Sequence, residues 1–189
     1  MNAVRVLLDR NVRRCGPIEG TDPARHPIAP RLPALVLTCA DHRVDPAHVL
    51  GIDLGDAVVL RNVGGRVTPD ILTNLTLLAT IKAVEAIDID FELIVMHHTD
   101  CGLSRLAGAP YAGLLARYFG LAPPDVPEVQ DPQVTVRFDV DRLRSSLPPT
   151  VNVWGLVHDI ATGRVRVVCP ATNDSGDLPA QSLDRPVPR

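Results

Sequence analysis

Three short stretches of the chain concentrate the residue types that bind metals and move protons. They are Thr38-Cys39-Ala40-Asp41-His42-Arg43, Arg61-Asn62-Val63-Gly64-Gly65 and His97-His98-Thr99-Asp100-Cys101-Gly102. Cys39, His98 and Cys101 offer two soft thiolates and an imidazole, a donor set suited to zinc, one ion per chain. Three protein ligands leave the fourth tetrahedral position to water, whose pKa such a metal draws down towards about 7. Two thiolates already cancel the ion's charge, so it is a weaker Lewis acid than a three-histidine zinc and needs help from neighbouring groups. Asp41, two residues from Cys39, is placed to accept a hydrogen bond from that water, and Arg43 to hold the carboxylate ionised. In an extended segment Cys39, Asp41 and Arg43 share one side. A small torsional change would then let Asp41 take the fourth metal position itself and shut the site.

Each residue also has a plainer reading. A lone cysteine is more often a small core hydrophobe, and Asp41 with Arg43 alone would be an ordinary ion pair. It is their convergence with His98 that favours chemistry. His97 has the wrong spacing to join and is expected to be satisfied by a backbone carbonyl, His42 to be solvated, and Asp100 to cap a helix after Gly102. Cys15 and Cys169 have no partner at ligand spacing and are expected as free thiols. Gly64-Gly65 lacks the surroundings of a phosphate loop.

The elements that must position these stretches are apolar runs of strand length. Leu35-Val36-Leu37, Ala57 to Leu60, Leu93 to Met96 and Val151 to Val157 lack polar alternation, as in parallel strands covered on both faces. Each chemical stretch follows one of the first three, which is where α/β sheets gather ligands. Helical spacing over Asp70 to Ile87, with Thr68 to cap it and Pro69 at its first position, predicts a mostly buried helix. A second helical stretch follows Cys101 and is interrupted by Pro110. Leu121 to Pro132, with four prolines, reads as a loop. A short helix is expected over Asp139 to Leu147. Thr162-Gly163 turns into an edge strand at Val165 to Val168. The fold class is therefore α/β, a compact, mostly parallel sheet flanked by helices with a C-terminal edge hairpin. Residues 31–170 form the zinc-binding domain, with an N-terminal extension at 1–30 and a disordered tail at 171–189.

Composition removes other classes. A chain of 189 residues supports one domain, and 19 basic against 22 acidic residues give a net charge of -3. With only 3% aromatic residues and no basic cluster, nucleic acid is not a partner. No apolar run reaches a membrane span and no signal peptide is legible. Four cysteines in a chain of this size need no disulfide framework, so a cytoplasmic location is expected.

CxDxR at 39–43, RNxGG at 61–65 and HxxC at 98–101 occur together, in that order, between Leu35 and Gly102. With Gly155 to Gly163, this pattern resembles the β-class carbonic anhydrases, particularly their short prokaryotic members. The resemblance implies zinc held by Cys39, His98 and Cys101, an Asp41–Arg43 dyad, and reversible hydration of carbon dioxide to bicarbonate and a proton. It further implies substrate lying over Val63 and the Gly64-Gly65 backbone, and an obligate homodimer whose first 30 residues wrap a neighbour. The plant-like branch places a glutamine between the first two motifs. Here the glutamines are Gln130, Gln133 and Gln181, so substrate contacts carry over no further than Val63 to Gly65. Related members hydrolyse carbonyl sulfide or carbon disulfide on the same scaffold, and a non-catalytic zinc protein closed by Asp41 is the third alternative.

Overall fold

The structure, a computed structural model, describes residues 3–14 and 27–173. The chain divides into two units, Met1–Pro30 and Arg31–Arg189. The first contains helix α1 (Ala3–Arg14), on which Val4, Leu7, Leu8 and Val12 are exposed.

The second unit is built on strands β1 (Ala34–Cys39), β2 (Val58–Asn62), β3 (Glu92–His98), β4 (Val153–Asp159) and β5 (Arg164–Cys169). They form one sheet in the order β2-β1-β3-β4-β5. The first four run parallel and β5 returns antiparallel beside β4, the expected edge hairpin. From β1 the chain moves outward to β2, then crosses back to β3 on the other side of β1. That reversal opens a crevice at the carboxyl ends of β1 and β3.

Helices α2 (Pro46–Val49), α3 (Pro69–Val84), α4 (Ala112–Phe119) and α5 (Pro132–Ser146) connect the strands, with short 3-10 turns after Cys101 and at Ala109 and Pro123. Val136, Val140 and Leu143 of α5 are sealed against Leu35, Leu37, Val95 and Val153 of the sheet. A smaller cluster of Leu103, Leu115, Phe119 and Val129 lies under α4.

Four expectations need correction. The helix after Pro69 begins as foreseen, with Thr68 accepting from Ile71 N, but it is not mostly buried. Only Ile71 is fully covered, Leu72, Leu75 and Leu78 are partly covered, and Leu77, Ile81 and Val84 face outward. The last helix is not a short one from Asp139. It starts at Pro132, because Asp131 caps Gln133 N at 2.8 Å and a proline at the first position lacks only an N–H the helix could not use. Ala171 is 5% exposed, so the packed chain runs past 170. The rest of the expected tail, from 174 on, and Cys15 lie outside the described residues. Asp100 caps no helix; its side chain is held elsewhere, as described below. Among the described residues no helix is long and apolar enough to cross a membrane.

Candidate metal centre

Cys39 is the last residue of β1 and His98 the last of β3, and these two strands are hydrogen-bonded neighbours. The buried Thr38 hydroxyl donates to Met96 O at 2.9 Å and ties the two strand ends together. Cys101 arrives three residues later, at the start of the 3-10 turn Gly102–Leu106. The two Sγ atoms stand 3.9 Å apart, and with a ring nitrogen of His98 all three donors lie within 4.8 Å of one another. Two thiolates bound at about 2.3 Å to a tetrahedral zinc would stand about 3.8 Å apart, so the pair fits that ion. His98 Nδ1–H donates to Thr99 O at 2.9 Å, which leaves the lone pair on Nε2. Nε2 is buried and has no protein partner, an atom waiting for a ligand.

The charges agree. Cys39 is drawn down to about 4, chiefly by the hydrogen bond from Cys101, with His98 and the backbone N–H groups of Asp41 and Gly64 helping against burial. The same contact and burial push Cys101 far up. The contact thus favours the thiolate on Cys39, the form that binds a cation. Burial would lower His98, but the neighbouring Cys39 outweighs it and raises it.

Asp41 and Arg43 do meet, but not through strand alternation. The chain turns here: Val44 N–H donates to Asp41 O, and Arg43 N–H donates to Asp41 Oδ1 at 2.9 Å. The guanidinium then grips the carboxylate with Nε on Oδ1 at 3.0 Å and Nη2 on Oδ2 at 2.7 Å. This fork holds Asp41 well below the usual carboxylate range. Asp100 secures the other side of Arg43, Oδ2 accepting from Nη1 at 2.8 Å and its carbonyl from Nη2 at 3.0 Å, while Oδ1 takes Arg105. His42 is solvent-exposed, as expected.

The RN pair of the second stretch is structural support. Arg61 donates to the carbonyls of Cys39 at 3.0 Å and Asp41 at 2.7 Å and to Asp45, pinning the turn that carries the dyad. Asn62 brackets the following loop, accepting from Arg66 N and donating to Arg66 O. Gly64 and Gly65 both adopt left-handed φ, +84° and +67°. At Gly65 a Cβ would come within 2.8 Å of Cys39 N, so the loop lies directly on β1. This close approach lets Gly64 N–H reach Cys39 Sγ at 3.2 Å.

A small hollow beside the three donors is lined by Gly64, His98, Cys101, Leu103, Val129 and Gln130, with Arg66 and His97 behind. Of the three expected substrate-contact residues, Gly64 is in this lining. Val63 is 55% exposed, and the Gly65 carbonyl faces His97. Sequence reading missed Gln130, Arg66 and Asp139. The last two form a buried ion pair across 73 residues, a pairing no local pattern could announce.

A family model described as carbonic anhydrase matches residues 34–115. The β-carbonic anhydrase 1 of Mycobacterium tuberculosis is 29% identical over 147 residues, spanning 76% of this chain and 86% of that protein. A carbon disulfide hydrolase of an Acidianus species is 30% identical over 162 residues, 69% of this chain and 74% of the relative. Among solved structures, the carbonic anhydrase of Streptococcus mutans superposes with a TM-score of 0.68 at 31% identity, over 89% of this chain and 98% of that one. Motif order, sheet topology and these similarities agree that the chain belongs to the β-carbonic anhydrase family.

Proposed function

We propose that the protein is a zinc-dependent carbonic anhydrase, with one zinc per chain held by Cys39, His98 and Cys101. The observation that carries this reading is the convergence of two sulfurs and a bare imidazole nitrogen, with a carboxylate two residues from Cys39 gripped by an arginine. Zinc bound there supplies Lewis acidity and a water of lowered pKa. The chain's own groups do the rest. Asp41, ionised and clamped by Arg43, accepts a hydrogen bond from the attacking water and orients it toward the substrate. Because Arg43 and Asp100 occupy both sides of the clamp, Asp41 is kept off the fourth metal position. Leu103 and Val129 give the hollow an apolar side for a linear triatomic molecule, with the Gly64 backbone and Gln130 in the same lining, and Val63 and Gly65 complete the loop that carries Gly64.

Carbon disulfide or carbonyl sulfide hydrolysis is the second reading, favoured by the similarity to the Acidianus enzyme. Parallel assays of carbon dioxide, carbonyl sulfide and carbon disulfide on one zinc-loaded sample separate the two. Turnover of either sulfur gas far above that of carbon dioxide would replace the first reading with the second.

We also assign the chain to a homodimer or larger homo-oligomer. Leu77, Ile81 and Val84 on α3 form an apolar surface for a second copy. We also propose a cytoplasmic location, where a reducing environment would keep Cys39 and Cys101 available as metal ligands.

A further inference from the structure

His97 and His98 are adjacent, so along β3 they project to opposite sides, and only His98 belongs to the donor set. His97 is nonetheless 3% exposed and engaged at both ring nitrogens. Nε2 lies 3.2 Å from Gly65 O and 3.2 Å from Asp139 Oδ2. Nδ1 lies 2.8 Å from the Thr135 hydroxyl. A carbonyl and a carboxylate can only accept, so Nε2 must carry the hydrogen. Nδ1 faces the Thr135 hydroxyl, whose one hydrogen is also drawn by Pro132 O at 3.2 Å. The tautomer with its hydrogen on Nε2 is fixed by Gly65 O and Asp139.

That tautomer acts on the glycine loop. Several backbone groups of residues 63–66 are held by side chains from other elements or from the loop's own stem. Tyr118 donates to Val63 O at 2.6 Å, Asn62 takes both backbone groups of Arg66, and His97 takes Gly65 O. The buried Arg66–Asp139 pair, backed by the Phe119 ring at 4.7 Å from the guanidinium, fixes the carboxylate that His97 leans on. What this loop delivers to the site is Gly64 N–H on Cys39 Sγ. An N–H on a ligating sulfur withdraws charge from it and leaves the metal more electrophilic, which a two-thiolate site needs.

We infer that His97 is a positioning residue for the metal centre: its Nε2–H, shared by Gly65 O and Asp139, holds the loop so that Gly64 N–H stays on the Cys39 sulfur. The inference rests on the reading of Cys39 as a metal ligand, and its test keeps the two apart. In the metal-free full-length protein, 1H–15N spectra of H97F should show the Gly64 amide proton moved upfield and exchanging about tenfold faster. H97Q, whose side-chain amide can still donate to Gly65 O, should restore both. In cobalt-loaded H97F the sulfur-to-metal charge-transfer band should move to lower energy, and kcat should fall about tenfold with KM unchanged. If H97F does not fold, T135V, which keeps the ring but frees Nδ1, must move the Gly64 resonance in the same direction. A folded H97F, or failing it T135V, with the Gly64 resonance and exchange unchanged overturns the inference. Failure of the wild type to take up cobalt would instead count against Cys39 as a ligand, with the metal-free amide comparison still deciding the role of His97.

Discussion

At the carboxyl edge of the sheet Thr38, Cys39, Arg66 and His98 are between 1 and 4% exposed, while on α3 Leu77, Ile81 and Val84 stand 56, 44 and 76% exposed. Both regions are rich in what they need, donors at one and apolar side chains at the other. At the edge the groups find each other within one chain: sulfur with sulfur and amide, carboxylate with guanidinium, carbonyl with imidazole. On α3 the apolar residues run round the helix and outnumber the places one sheet can cover. α5 shows the alternative, since its Val136, Val140 and Leu143 form a single covered stripe, and the one charged residue buried with them, Asp139, is paired to Arg66. Covering each large α3 side chain with a second copy is worth about 1.5–3 kcal/mol.

The largest effect tests the edge. C39A and C101A should each lose bound zinc and activity to background while keeping the far-ultraviolet dichroism of the fold, and retained zinc in either would break the ligand assignment. Smaller is D41N, which should keep its zinc but lose about 10- to 100-fold in kcat/KM, because an amide neither carries charge for Arg43 nor accepts as strongly. Zinc loss equal to that in C39A would make Asp41 a ligand.

The flank is tested by L77E/I81E. The wild type should sediment as a dimer or larger, and the double variant at the mass of one chain with its zinc retained. An unchanged mass would show that α3 needs no cover from a second copy.

The smallest effect is on pH. His97 and His158 are both held below their ordinary pKa, in each case mainly by burial. At these two positions the unfolded chain therefore binds protons near pH 6.5 that the folded chain refuses, and they lower the stability of the metal-free protein as pH drops below about 6.5, against the opposite contribution of His98, whose pKa is raised. Asp41 is depressed instead, so its contribution is present above the usual carboxylate range and is lost only in strong acid. Urea midpoints at pH 7.5 and 5.5 should differ in that direction, and H97Q should narrow the gap.

The strands were legible because apolar runs are local, and the donor set because each donor sits at or just after the end of such a run, although Cys39 and Cys101 are 62 positions apart. Apolar runs marked β1 to β4, and cysteine or histidine at strand ends marked the site. The Asp41–Arg43 contact was legible as a pair but not in form, since residue spacing cannot tell an Asx turn from an extended segment. The start of α5 was signalled by Asp131-Pro132, yet the prolines before it carried the loop reading past the cap. Arg66 with Asp139, and Asp100 on Arg43, join residues 73 and 57 positions apart. Their chemistry exists only once the sheet has assembled.

The most direct measurement is zinc content together with stopped-flow carbon dioxide hydration, on the wild type and C39A, at pH 7.0 and 8.5. One zinc per chain with fast hydration in the wild type, both absent from C39A, is the predicted result. A zinc-loaded wild type that does not hydrate carbon dioxide at either pH, or a C39A variant that still does, would contradict the account.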